Sequence, residues 1–158
     1  MSMISSAGFA TATTLQDMYN FNGLFIYCTG LTDASKLIMP ATTLTYCCYY
    51  GMFYNCTSLV NAPELPATTL EQACYQYMFR SCTSLTKAPE LPATTILSSC
   101  YYQMFCDCAS LNYIKCLATR YFPSSTTEWV EGVGNTGTFV KSSNMSGWTT
   151  GADGIPSG

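Results

Sequence analysis

The stretch Leu70-Glu71-Gln72-Ala73-Cys74-Tyr75-Gln76-Tyr77-Met78-Phe79-Arg80-Ser81-Cys82-Thr83-Ser84-Leu85 decides the fold reading, because it recurs along the chain. At a step of 26 residues, Met78 has counterparts in Met52 and Met104, and Phe79 in Phe53 and Phe105. The same step joins Cys48, Cys74 and Cys100; Cys56, Cys82 and Cys108; and Leu59, Leu85 and Leu111. Upstream of each copy stands Pro-Ala-Thr-Thr followed by Leu or Ile, starting at Pro40, Pro66 and Pro92. A looser copy precedes them, with Thr11-Ala12-Thr13-Thr14-Leu15, then Leu24-Phe25 and Cys28-Thr29-Gly30-Leu31. So many columns in register identify a tandem repeat, whose terminal unit is expected to be the irregular one.

Within the quoted unit, Leu70, Cys74, Met78, Phe79 and Cys82 fall at i, i+4, i+8, i+9 and i+12, which reads as the apolar stripe of one helix. Glu71, Gln72, Gln76, Arg80 and Ser81 make the polar face. Thr68 before Glu71, or Thr69 before Gln72, has capping-box spacing just inside Pro66, so a helix is predicted from about Thr69 to Ser81. The following Leu85 to Leu91 is short and broken by Pro89, and reads as a brief extended segment with Leu85, Ala88 and Leu91 inward. The predicted fold class is therefore an α/β repeat solenoid, leucine-rich-repeat-like, of four coils of 26 residues or slightly more, each with a short helix and a short strand. The divisions are 1–10 as an N-terminal cover, 11–117 as the solenoid and 118–158 as a C-terminal cap and tail. Trp129, Phe139 and Trp148 are the expected plugs of the last coil, with a turn signal at Gly134-Asn135-Thr136-Gly137.

Met52-Phe53-Tyr54-Asn55-Cys56-Thr57-Ser58-Leu59 resembles the Ala-Phe-x-x-Cys-x-x-Leu core of the BspA-type leucine-rich repeats of bacterial surface proteins, with Met in place of Ala. The resemblance covers 11–117. The tail from Glu128 to Gly158 is similar to endings of such proteins from gut Bacteroides-type bacteria and their phages. The family implies a leucine-rich-repeat fold and adhesion, with protein or glycan binding, and offers no catalytic motif to carry over.

The composition points the same way. Charged residues make up 9% of the chain, against 48% hydrophobic and 14% aromatic, and the net charge is −3 with six scattered basic residues. That leaves no basic patch for nucleic acid or anionic lipid. No apolar run reaches the ~20 residues of a membrane helix, and the first ten residues lack the basic start and apolar core of a signal peptide. With no His, the commonest general base is missing, and the Ser-His and Cys-His pairs with it. No catalytic residue, metal ligand set or cofactor is expected. The ten cysteines belong mostly to repeat columns, and helix-packing distances of ~8–10 Å between coils argue for buried reduced thiols rather than disulfides. Cys106 stands where other units carry Tyr54 or Arg80 and is the expected free or pairing thiol, with Cys116 as the candidate partner.

Columns that vary while the core columns repeat are free of packing constraint. They hold Tyr46, Tyr50, Tyr54, Tyr77 and Tyr102 on the helix side, and Asn61, Lys87 and Tyr113 on the strand side, alongside Val60, Thr86 and Asn112. Exposed Tyr among Ser, Thr and Asn suits contacts to protein or sugar. The expectation is a non-catalytic adhesion module at the cell surface or outside the cell. The alternative is a phage virion or fibre protein that self-associates.

Overall fold

The computed structural model describes residues 12–15, 17–122 and 124–157. The expected N-terminal cover, 1–10, lies outside the described residues.

The α/β solenoid of helix-plus-strand coils is not what the chain forms. Among the described residues there is no α-helix, and there are four short strands: β1 (Thr95–Ile96), β2 (Tyr113–Cys116), β3 (Arg120–Tyr121) and β4 (Thr138–Lys141). They make two separate two-stranded parallel sheets, β1 with β3 and β2 with β4. Isolated parallel bridges, such as Thr43 with Thr69 and Lys87 with Tyr113, supply further cross-links.

Where the helix was expected, the backbone runs through consecutive turns. Every fourth residue is left-handed: Cys47, Gly51 and Asn55 in the second repeat, Ala73, Tyr77 and Ser81 in the third, Ser99, Gln103 and Asp107 in the fourth, all with φ between 48° and 62°. A helix cannot pass through such residues, because each breaks the run of right-handed φ that the i→i−4 ladder needs. The N–H groups instead split into two sets. Cys48, Met52 and Cys56 donate to the carbonyls of Thr45, Tyr49 and Phe53, three residues back, closing each turn. Tyr49, Phe53 and Asn55 donate to Cys74, Met78 and Arg80 of the next repeat. Each repeat is thus laid on the next as a layer, and main-chain hydrogen bonds between layers take the place of hydrogen bonds within a helix.

A non-glycine residue in the left-handed region costs about 1 kcal/mol or more. What offsets it is the core between layers. Phe53 and Phe79 stack at 5.4 Å between ring centroids with parallel planes, and Phe79 and Phe105 at 5.7 Å. Tyr49 lies on Tyr75 at 5.8 Å. Met52, Phe53, Leu59, Met78, Phe79, Leu85, Met104 and Phe105 are all almost fully buried, as are Ala88 and Leu91 of the extended limb.

The layering continues beyond the fourth repeat. Tyr101, Gln103, Phe105 and Asp107 donate to Ser125, Thr127, Trp129 and Glu131, a further row of turns, and β4 pairs along β2. Trp129 is fully buried on Tyr101 at 5.9 Å. Trp148 covers it at 5.4 Å, Phe139 meets both edge-on, and the Trp129 indole N–H donates to the Gly154 carbonyl. This end is closed by its own chain. At the other end, Met18, Leu24, Tyr27 and Ile38 are 55–62% exposed, with no described layer in front of them.

Gly137 shows how close the layers approach. A Cβ there would lie 2.2 Å from the Asn112 carbonyl oxygen, main chain that cannot step aside. Gly137→Ala is expected to destabilise the protein by roughly 1–3 kcal/mol, the cost of forcing a packed backbone apart. Chemical denaturation reads this directly; an unchanged midpoint would mean that the last layer sits looser than described.

Candidate functional site

All ten cysteines are free. The reason differs from the one expected, since layers joined by main-chain hydrogen bonds stand about 4.8 Å apart, closer than packed helices. Cys74 Sγ and Cys100 Sγ are 3.8 Å apart. The thiols act as column donors: Cys56 to the Phe25 carbonyl at 3.0 Å, Cys82 to Phe53 at 3.1 Å, Cys108 to Phe79 at 3.0 Å and Cys100 to Glu71 at 2.9 Å. Ser125 takes over the role in the next layer, donating to the Ile96 carbonyl at 3.0 Å. Burial pushes the Cys48 and Cys116 thiols up to about 12, and Cys56 and Cys106 up to about 11. Cys106 is buried, with its thiol 3.6 Å from an Asp107 carboxylate oxygen, and the exposed thiol is Cys28. Cys106 and Cys116, set apart in the sequence as the free or pairing thiols, are both free, and both are covered by protein.

The eight variable-column residues fall into two places. On the extended limb, Asn61, Lys87 and Tyr113 line one groove of about 890 Å³, together with Val60, Glu64, Glu90 and Lys115. Pro63, Pro89 and Pro92 also face it, a consequence of the repeated Pro columns. Lys87 Nζ stands 5.2 Å from the centre of the Tyr113 ring, a cation–π contact that holds the ring at the rim. Lys115 bridges to Glu90 at 2.9 Å, an exposed pair of little energetic weight. Beside the groove, hydrogen bonds from the side chain and backbone of Ser35 keep the Asp33 carboxyl below its usual value.

The groove lies where the interlayer bonding of this limb is interrupted. One layer earlier, the Ala34 N–H donates to the Asn61 carbonyl; one layer later, the Ala88 N–H donates to the Tyr113 carbonyl. The pattern would pair the Ala62 N–H with the Lys87 carbonyl. Among the described residues, no main-chain hydrogen bond joins 60–65 to 86–91. Both Ala62 and Lys87 line the groove.

On the turn limb, the tyrosines meet edge to face across layers. Tyr50 meets Tyr77 at 5.3 Å, Tyr77 meets Tyr102 at 5.4 Å, Tyr54 meets Tyr27 at 5.4 Å and Tyr46 meets Tyr19 at 5.6 Å. Tyr50, Tyr54 and Tyr77 share a notch of about 290 Å³ with Arg80, while Tyr46 and Tyr102 lie outside its lining. Hydrogen bonding to Cys47 raises the Tyr46 hydroxyl above its usual value, and burial raises that of Tyr50. Arg80 lies outside the expected set: the helical pattern puts it on the polar face, yet its column (Ile26, Tyr54, Arg80, Cys106) varies as freely as those of the tyrosines.

Among the described residues, no helix is long and apolar enough to cross a membrane. No protein-family model, curated protein or solved structure matches the chain.

Proposed function

We propose that the protein is a non-catalytic binding module, presented outside the cell or on its surface, that takes an extended protein segment or a glycan into the groove between 60–65 and 86–91. The observation carrying this is the interruption of the interlayer ladder at the groove of about 890 Å³. Main-chain groups of Ala62 and Lys87 that neighbouring layers use for pairing stand there without a main-chain partner among the described residues. An extended ligand with its own donors and acceptors satisfies them, as an added strand satisfies a sheet edge. Tyr113, Val60 and the prolines supply apolar area, and Asn61, Glu64 and Lys87 supply directional polar contacts.

The test is a panel of immobilised oligosaccharides and extended peptides, followed by calorimetry on any that bind. Tyr113→Ala and Lys87→Ala should each weaken binding by about tenfold, the scale of one lost ring or cation–π contact. Captured ligands that bind both variants as tightly as the parent protein would move the site elsewhere.

A second reading, a phage virion or fibre protein that self-associates, draws on the exposed apolar residues of the first layer, Met18, Leu24, Tyr27 and Ile38. Light scattering coupled to size exclusion decides it: concentration-dependent assembly that Leu24→Asp abolishes supports it, and a persistent monomer sinks it.

A further inference from the structure

We infer that the notch on the turn limb is a second binding site, separate from the groove and independent of its role, for a carboxylate-bearing sugar ring held by Arg80 between tyrosines. The notch is written into one column of the repeat. Position 77 is Tyr, position 103 is Gln and position 128 is Glu, but the equivalent residues in the first two layers are Gly23 and Gly51. All five are left-handed, with φ from 48° to 59°, so the backbone follows the same path and only the side chains are missing. Two absent side chains leave a space walled by Tyr77 and Arg80 and flanked by Tyr50 and Tyr54.

Arg80 is poised at this wall. Its guanidinium carbon lies 5.7 Å from the Tyr77 ring centre and 6.0 Å from that of Tyr54, and one terminal nitrogen donates to Gln103 Oε1. Gln103 in turn donates to Glu128, so the orientation of the amide, and with it that of the arginine, is set from the layer behind. No carboxylate pairs directly with Arg80, since the ion pair among the described residues is Lys115 with Glu90. Among the described residues the Arg80 Nε has no hydrogen-bond partner and is buried, and the terminal nitrogen not held by Gln103 is neither bonded nor buried. A carboxylate entering the notch meets that terminal nitrogen in the guanidinium plane, a charge-assisted hydrogen bond that no group of the protein makes there. The aromatic flanks suit the apolar face of a pyranose ring, and the cavity of about 290 Å³ suits one monosaccharide unit rather than a chain.

The experiment titrates the full chain, isotope-labelled, with glucuronate, glucose and N-acetylglutamate, and follows the backbone amides of Gly51, Tyr54 and Arg80 by NMR. Glucuronate should bind, and both comparison compounds should be weaker by about tenfold or more, one lacking the charge and the other the ring. Arg80→Lys keeps the charge and loses the planar fork, and should weaken glucuronate by about tenfold. Gly51→Tyr should abolish binding while the protein stays folded. Its φ of 57° matches the 58° at which Tyr77 already sits, and a Cβ there meets only the Tyr54 Cβ, at 3.8 Å. Absence of glucuronate binding overturns the inference. So does glucose or N-acetylglutamate binding as tightly as glucuronate, or glucuronate binding that Gly51→Tyr leaves intact.

Discussion

Raising the pH from 9 towards 11 is expected to unfold this protein cooperatively, well before its peptide chain or surface charges would account for it. Cys48 and Cys116 are fully buried, and burial raises their thiols from 9.0 to about 12. In the unfolded chain both ionise above 9, whereas in the folded protein both keep their protons until about 12. Their contribution to stability is therefore fully present below pH 9 and is lost across the window from 9 to about 12. Each group removes about 1.4 kcal/mol per pH unit in that window, so two remove roughly 3. Against a typical total of about 5–15 kcal/mol, two pH units are enough to bring a protein of this size near its midpoint. The buried hydroxyls of Tyr75 and Tyr101, also pushed upward by burial, act in the same direction. Thermal melts followed by circular dichroism at pH 8, 9, 10 and 10.5, in reducing buffer, make the measurement. A melting temperature that stays level to pH 10.5 would show that these thiols ionise in place, and that the core is wetter than the packing indicates.

The second large effect belongs to the phenylalanine column. Phe79 is fully buried between Phe53 and Phe105, with rings stacked on both sides. Truncation to Ala opens a cavity between two layers that are tied by main-chain hydrogen bonds and cannot close over it. Phe79→Ala is expected to cost about 3–5 kcal/mol, the range for truncation of a core aromatic. Phe25 occupies the same column in the first layer, stacked on Phe53 at 5.3 Å but only partly buried. Phe25→Ala should cost clearly less, because the ring is only partly buried and the end layer can relax. Urea titrations of both variants test the pair together. Equal losses would mean that something shields the first layer to the same depth as the third.

The comparison of these two positions also shows what the repeat made legible. The buried columns, from Cys48 and Phe53 to Leu85 and Leu111, follow from the step of 26 alone. The turns imitate a helix in the sequence for a specific reason. Leu70, Cys74, Met78 and Cys82 recur every four residues, a spacing that a short helix with 3.6 residues per turn tolerates for one or two turns. Over twelve residues, however, a helix turns Cys82 about 120° away from Leu70. A chain of four-residue turns returns it to the same column, and both residues are buried. The strictness of the four-residue step, and glycine at 23 and 51 in that rhythm, were the available signals.

The candidate sites divide in the same way. Asn61, Lys87 and Tyr113 were found from their columns, and the structure gathers them in one groove; Tyr50, Tyr54 and Tyr77 were found in the same way and share the notch. Glu64, Glu90, Lys115 and Arg80 also stand at these cavities, and nothing local in the sequence distinguishes a charge beside a cavity from one in open water.

By itself, the sequence determined the period, the buried columns and the identity of the groups that vary, because each depends only on which residues recur at a fixed step. The tertiary structure decided the path between those columns. Whether an N–H pairs within its own segment or with the next layer depends on where that layer lies, and the left-handed residues that follow from this choice have no local preference to announce them. It also decided which varying residues share a cavity, since the interrupted ladder at Ala62 and Lys87 and the missing side chains at Gly23 and Gly51 become spaces only once the layers are stacked.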